Sequence, residues 1–248
     1  MYNFKNKIVL ITGSTSGIGK ATALEFAKLD AKLVVTGKTD EGMCEVQELC
    51  QKASPSDYKP ITIVADFNKD TDVEMLMKKT IEHYKILDIL VNNAGIVAFG
   101  NIENSSLDQF DLIMKINLRS AFYLTYLAIP HLKKSRGSIV NVSSIASYRP
   151  VIQFATYSIS KAGVDQLTNC CALELAKYGI RINSVNPGII KTNISINAGQ
   201  TKERYEQILS ENIKVCPLGR HGLTSDVASA ILFLADNTSS SFITGEHL

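Results

Sequence analysis

Short runs dense in valine and isoleucine recur along the chain at residues 7–12, 32–36, 60–64, 87–91, 137–142 and 180–185. Each is too short for a buried helix and is apolar at successive positions, the pattern of a strand covered on both faces. Between them, residues 21–29, 70–84, 107–132 and 156–178 place apolar side chains at helical spacing. Strand and helix alternate, and right-handed crossovers put the helices on both faces of a parallel sheet. The fold class expected is therefore α/β, doubly wound.

No linker rich in Pro, Ser or Gly divides the 248 residues, and no internal repeat is visible, so a single domain is expected. Residues 52–60 read as a loop. Residues 193–217 are more polar, with a short helix expected at 202–211. An insertion at the carboxyl end of the sixth strand falls where open α/β sheets bind ligands, so this segment is expected to be a lid over a substrate.

Composition removes several function classes. The 26 basic and 24 acidic residues leave a net charge of +2, too small to attract nucleic acid or an anionic membrane, and neither is expected as a partner. Cys44, Cys50, Cys170, Cys171 and Cys216 form neither a CxxC pair nor an even disulfide framework. Reduced thiols in the cytoplasm are expected, since the apolar run at 8–11 is too short for a signal core or a membrane span. His83, His131, His221 and His247 are far apart, and no metal site is expected.

The first strand runs into Thr12-Gly13-Ser14-Thr15-Ser16-Gly17-Ile18-Gly19, where a helix begins. Gly13 permits the tight turn, Gly17 admits a pyrophosphate to the backbone, and Gly19 lets the helix pack on the sheet. Tyr157 and Lys161 stand four apart on one helical face, so a phenol and an ammonium can share a site. Such a pair alone is weak evidence. Its context is Asn92-Asn93-Ala94-Gly95 after the fourth strand, Asn117 in the next helix, Ser144 after the fifth strand, and Asn186-Pro187-Gly188 with Thr192 after the sixth. No Gly-x-Ser-x-Gly elbow is present, which disfavours a serine hydrolase.

In these motifs, their order and their spacing, nearly the whole chain resembles the classical short-chain dehydrogenase/reductase family. The resemblance implies a single-domain Rossmann fold with a sheet of about seven strands, and hydride exchange between a nicotinamide and a carbonyl or alcohol. It implies Tyr157 as proton-transfer residue, Lys161 as its electrostatic partner, Ser144 (not its neighbour Ser143) as hydrogen-bond donor to the substrate oxygen, and Asn117 as organiser of a proton-relaying water. Cofactor contacts are implied at Gly13, Ser16, Gly17, Ile18, Gly19, Gly37, Lys38, Asp66, Asn92, Gly95, Tyr157, Lys161, Pro187, Gly188, Ile190 and Thr192. For Asp66 a bound on the adenine pocket competes with a plain helix-cap role.

Cofactor choice turns on Thr36-Gly37-Lys38-Thr39 at the end of the second strand. Gly37 offers no carboxylate to a ribose and Lys38 offers a cation to a 2′-phosphate, so NADP is favoured. Asp40 and Glu41 just beyond are the alternative ribose contacts, the NAD reading. The apolar stretches 94–99, 145–154 and 193–215, with Arg149 the obvious charge, suggest a hydrophobic small-molecule substrate of 3-oxoacyl, steroid or isoprenoid, retinal-type, or diketone or quinone type. Lys133, Lys134 and Arg136 are read as solvated surface in preference to a docking site for an acidic carrier protein. A homotetramer built partly on the helices at 107–132 and 156–178 is implied, with a dimer second. Relatives continue past Thr244-Gly245 with a Val-Asp-Gly-Gly-like ending, whereas this sequence reads Glu246-His247-Leu248, so either a short last strand or a chain extending beyond Leu248 is expected. A non-catalytic dinucleotide-binding scaffold is the competing class, disfavoured because all four catalytic positions are filled.

Overall fold

The structure, a computed structural model, describes residues 2–248, with the side chain of Glu41 also outside the described part. Strands β1 (Ile8–Ile11), β2 (Lys32–Gly37), β3 (Ile61–Val64), β4 (Ile89–Asn92), β5 (Ser138–Val142) and β6 (Arg181–Val185) form one parallel sheet of order β3-β2-β1-β4-β5-β6. The order reverses direction between β1 and β4, and a ligand crevice belongs at the carboxyl ends of these two strands.

Alternation along the strands sorts side chains to the two faces. Val9 and Ile11 of β1 join Val91, Val140 and Val185 under helices α1 (Gly17–Lys28), α2 (Asp40–Ala53) and, from the chain's last part, Thr224–Ala235. Ile8 and Leu10 join Leu90, Ile139 and Ile182 under α3 (Asp70–Tyr84) and the helices Ser120–Ser135 and Ala155–Leu175. Every residue of β1, β4, β5 and β6 is buried, which explains why Val and Ile recur at successive positions in the sequence.

Three expectations need correction. The single helix expected at 107–132 is α4 (Leu107–Met114), a π-helical turn at Lys115–Arg119 and α5 (Ser120–Ser135). Apolar periodicity continues through a π turn and so conceals it, while one extra residue per turn rotates the helix beyond it. Among the described residues the sheet has six strands, not about seven. Residues 244–248 run beside β6 with hydrogen bonds between Gly245 N and Ile182 O and between Ser184 N and Glu246 O, yet only Ser184 and His247 form a bridge. α6 (Ala155–Leu175) continues as a tight turn to Tyr178; α7 (Ile194–Asn197) and α8 (Lys202–Val215) fill the insertion, with α8 longer than anticipated, and α9 (Thr224–Ala235) follows. Helices α2 and α9 were not anticipated. Met43, Val46 and Cys50 of α2 are buried at helical spacing and carried the signal.

Among the described residues no helix is long and apolar enough to cross a membrane, and no group of three or more His, Cys, Asp or Glu side chains could hold a metal ion.

Candidate active site

The loop from β1 to α1 is shaped by its glycines. Gly13 (φ +62°) and Gly17 (φ +54°) adopt left-handed backbone. A Cβ on Gly19 would stand 2.3 Å from the Gly13 carbonyl oxygen, so only glycine lets the helix start this close to the turn. Asn93 braces the loop by donating from Nδ2 to the carbonyls of Thr12 (2.8 Å) and Gly13 (3.0 Å). Thr12 Oγ1 accepts in return from the amides of Asn93 and Ala94, each at 2.9 Å. Ser16 caps α1 without a side-chain hydrogen bond, and the first turn has no acidic residue. The first amides of α1 and the positive end of its dipole are thus available to an anion. Thr192 lies across the loop, its methyl 3.5 Å from where a Cβ of Gly17 would be. This cradle fits the pyrophosphate of a dinucleotide.

At the end of β2, a Cβ on Gly37 would come within 2.4 Å of the Thr15 methyl. Thr15 therefore enforces the absence of a carboxylate there. Lys38 extends outward, its side chain 77% exposed, with Nζ 3.5 Å from Asp66 Oδ2. Asp66 meets both of its readings. Its Oδ1 accepts from Asn68 N at 3.0 Å as a loop acid, while its other oxygen faces the same edge as Lys38. Asp40 begins α2.

Asn92 departs from expectation. Its Nδ2 donates inward to Thr125 Oγ1 (3.1 Å) and Asn141 Oδ1 (2.9 Å), so its side chain is in the core. Strand alternation sends its neighbour Asn93 to the glycine loop instead.

Residues from three elements meet at the carboxyl ends of β4 and β5. Lys161, 4% exposed, donates from Nζ to the Val142 carbonyl (2.7 Å) and stands 5.7 Å from the centre of the Tyr157 ring. Gly95 lies beside both groups, its Cβ position 3.4 Å from Asn117 Oδ1 and 3.5 Å from Lys161 Nζ. Ser144 lies near enough to the Tyr157 phenol to lower its proton affinity, and its Oγ accepts from Ala146 N at 3.1 Å. Ser143 turns away and donates to the Lys161 carbonyl at 3.2 Å. Phe99, Phe154 and Tyr157 form an edge-to-face series beside them.

Burial governs both titrating groups. It raises the Tyr157 phenol above its ordinary value, against a smaller lowering by the Ser144 hydrogen bond. It pulls Lys161 down from 10.5 to about 8, against a smaller raising by the Asp165 carboxylate. Burial thus pushes each group toward its neutral form.

Asn117 sits within the π turn, 1% exposed. Its Oδ1 accepts from Ile96 N (2.8 Å), and its Nδ2 donates to Ile96 O (2.9 Å) and Ser160 Oγ (3.0 Å). The side chain is fully engaged in holding the loop after β4 to α6. Ser160 and Asn93 are site-building residues that the sequence reading passed over; strand alternation singles out the second, and nothing local the first.

Pro187 accepts from Ile145 N at 3.1 Å, which ties the loop after β6 to the one carrying Ser144. Gly188 lies against Ile145, with 3.5 Å between its Cβ position and the Ile145 Cδ1. Ile190 pairs with Gly222 and packs on the core. Thr192 N donates to the hydroxyl of Tyr205, a buried residue of α8.

A family model described as enoyl-(acyl carrier protein) reductase matches residues 13–248. An uncharacterised oxidoreductase of Thermotoga maritima is 38% identical over 98% of this chain and 95% of its own length. A 3-oxoacyl-(acyl carrier protein) reductase of the same organism is 35% identical over 98% and 95%. The crystal structure of a short-chain dehydrogenase/reductase from Caenorhabditis elegans, solved with cofactor, superimposes with TM-score 0.91 at 33% identity, covering 99% of this chain and 93% of that one. The chain belongs to the classical short-chain dehydrogenase/reductase family of nicotinamide-dependent oxidoreductases.

Proposed function

We propose that the protein is an NADP-preferring reductase of a hydrophobic carbonyl compound, with Tyr157 as proton donor. The carrying observation is the meeting of Tyr157, Ser144 and Lys161 beside a glycine cradle that admits a pyrophosphate. A bound nicotinamide supplies or accepts the hydride at the carbonyl carbon.

The remaining chemistry belongs to this chain. As a phenol Tyr157 carries its proton at neutral pH, and burial disfavours the phenolate further, so it is poised to protonate the oxygen of a carbonyl being reduced. Ser144 orients that oxygen and stabilises its developing charge. Lys161 holds positive charge near the phenol. Asn117, whose side chain is saturated, organises a proton-relaying water through main-chain groups of the π turn, where helical hydrogen bonding is irregular. Gly13, Ser16, Gly17, Ile18 and Gly19 take the pyrophosphate, while Gly95, Pro187, Gly188, Ile190 and Thr192 line the nicotinamide side. For Asn92 only the main chain is left to this role.

For the cofactor, the steric closure of Gly37 by Thr15 and the exposed cation of Lys38 favour a 2′-phosphate. The Asp66 carboxylate partly neutralises Lys38 and is the observation favouring NAD as the second reading. Fluorescence titration is expected to give tighter binding of NADPH than NADH, and Lys38→Ala is expected to weaken NADPH about tenfold, one charge-assisted contact. Tighter binding of NADH would reverse the assignment.

The edge-to-face pair of Phe99 and Phe154 beside Tyr157 supports a hydrophobic substrate of 3-oxoacyl, steroid or isoprenoid, or diketone type, and residues 193–217 serve as its lid. Lys133, Lys134 and Arg136 lie at the end of α5 that leads into β5, opposite the cleft, and Lys133 is stacked 3.6 Å over Tyr178. A carrier protein docked there would not reach Tyr157. We assign the protein to the cytoplasm on its unpaired thiols.

A further inference from the structure

Along one face of α6, below Tyr157 and Lys161, the same four-residue step brings Asp165 and then Asn169. Asp165 is unusual. Its Oδ1 is buried without a hydrogen-bond partner, and such an atom costs free energy unless a charge compensates it. Its Oδ2 accepts from Asn186 Nδ2 at 2.9 Å. The same amide nitrogen donates to Ser147 Oγ at 3.1 Å and to the Ser144 carbonyl at 3.4 Å. Asn186 is thus pinned between α6 and the loop carrying Ser144, and it directly precedes Pro187.

On the far side stands His247. Its Nδ1 is 2.7 Å from Ser184 Oγ and 3.6 Å from Asp165 Oδ1, and its Nε2 is 2.9 Å from Asn169 Oδ1. Ser184 Oγ in turn donates to Asn186 Oδ1 at 2.6 Å. Asp165, Asn186, Ser184, Asn169 and His247 therefore form one connected polar cluster beneath the active site.

We propose that Asp165 is a positioning residue of the proton-transfer site: it is the counter-charge to Lys161 and, through Asn186, fixes the loops that carry Ser144 and Pro187. His247 closes this cluster from the segment 244–248 that runs beside β6. The proposal rests on the reading of Lys161 as the partner of Tyr157.

The charges around the pair are few. Asp165 is the carboxylate that acts on Lys161, and it opposes the lowering that burial imposes. Lys115 and Arg119 of the π turn face Asp70 instead. Arg181 of β6 donates to Asn237 and to carbonyls of residues 234, 235 and 243. Asp108 and Asp111 of α4 are exposed. His247 is the titratable group facing Asp165, together with Lys161 itself.

The test is an NMR titration of lysine-labelled protein without substrate, with the Lys161 signal assigned by its loss in Lys161→Met. The parent is expected to titrate near 8. In Asp165→Asn, which keeps size and hydrogen bonding but not charge, the Lys161 midpoint is expected to fall by at least about half a pH unit. In carbonyl reduction the alkaline limb of kcat is expected to move down in parallel. Asp165→Glu, which retains the charge, is expected to titrate like the parent. Should Asp165→Asn not fold, Asp165→Ser removes the same charge and gives the same reading. An unchanged Lys161 midpoint in a folded charge-removed variant overturns the proposal, as does a shifted midpoint with an unmoved limb of kcat. If the parent reduces no carbonyl, the functional reading fails, while the NMR titration still decides the coupling of Asp165 to Lys161.

Discussion

At the scale of single residues, the site is held by burial working against charge. Lys161 is nearly inaccessible, and its ammonium is disfavoured in the folded chain. Its folded value of about 8 lies below the ordinary 10.5, so between these limits the unfolded chain binds the extra proton. Stability contributed by this group therefore rises as pH increases through that window. Lys161→Met lacks the group, so urea unfolding is expected to show the parent gaining on this variant by up to about 3 kcal/mol between neutral pH and pH 10.5. A stability difference that does not change with pH would show that Lys161 is not desolvated. The convergence of Tyr157, Lys161 and Ser144 was legible because their spacing is set by one helix and one strand end. Asn92 was not, since four adjacent motif letters do not say which side chain turns inward; the polar core formed by Thr125 and Asn141 decides it.

At the scale of elements, strands were legible because burial on both faces keeps Val and Ile dense along them, and each such run of the sheet proved to be a strand. The π turn was hidden. Its cause is tertiary, the pairing of Asn117 with both main-chain groups of Ile96, and no spacing within 107–132 records it. Helix faces also carry the assembly reading. Phe122 and Tyr126 of α5 are 58% and 62% exposed, and Leu173 of α6 is 84% exposed, large apolar groups that a partner subunit would cover. We infer a homotetramer using α5 and α6, with a dimer as the second reading. Sedimentation is expected to give a species of several 27.2 kDa chains, and Phe122→Lys combined with Tyr126→Lys is expected to dissociate it. A parent that sediments as a single chain would contradict this.

At the scale of the whole molecule, the sheet order places four loops around one crevice. Those after β1 and β6 face each other across Gly17 and Thr192, while those after β4 and β5 meet at Lys161. Phe4 before β1 and Val227 of α9 pack in one cluster of the first-face core, so early and late parts of the chain share that core. Substrate identity stayed closed to the sequence for a physical reason: largely apolar loops of varied length can line a pocket for many hydrophobic carbonyls. The central claim is that the Tyr157 phenol delivers the proton. It is tested most directly by following cofactor oxidation with an accepted carbonyl, comparing the parent with Tyr157→Phe at matched cofactor saturation. The account predicts a fall in kcat of about 10²–10⁴-fold with cofactor affinity retained; equal rates for the two proteins would contradict it.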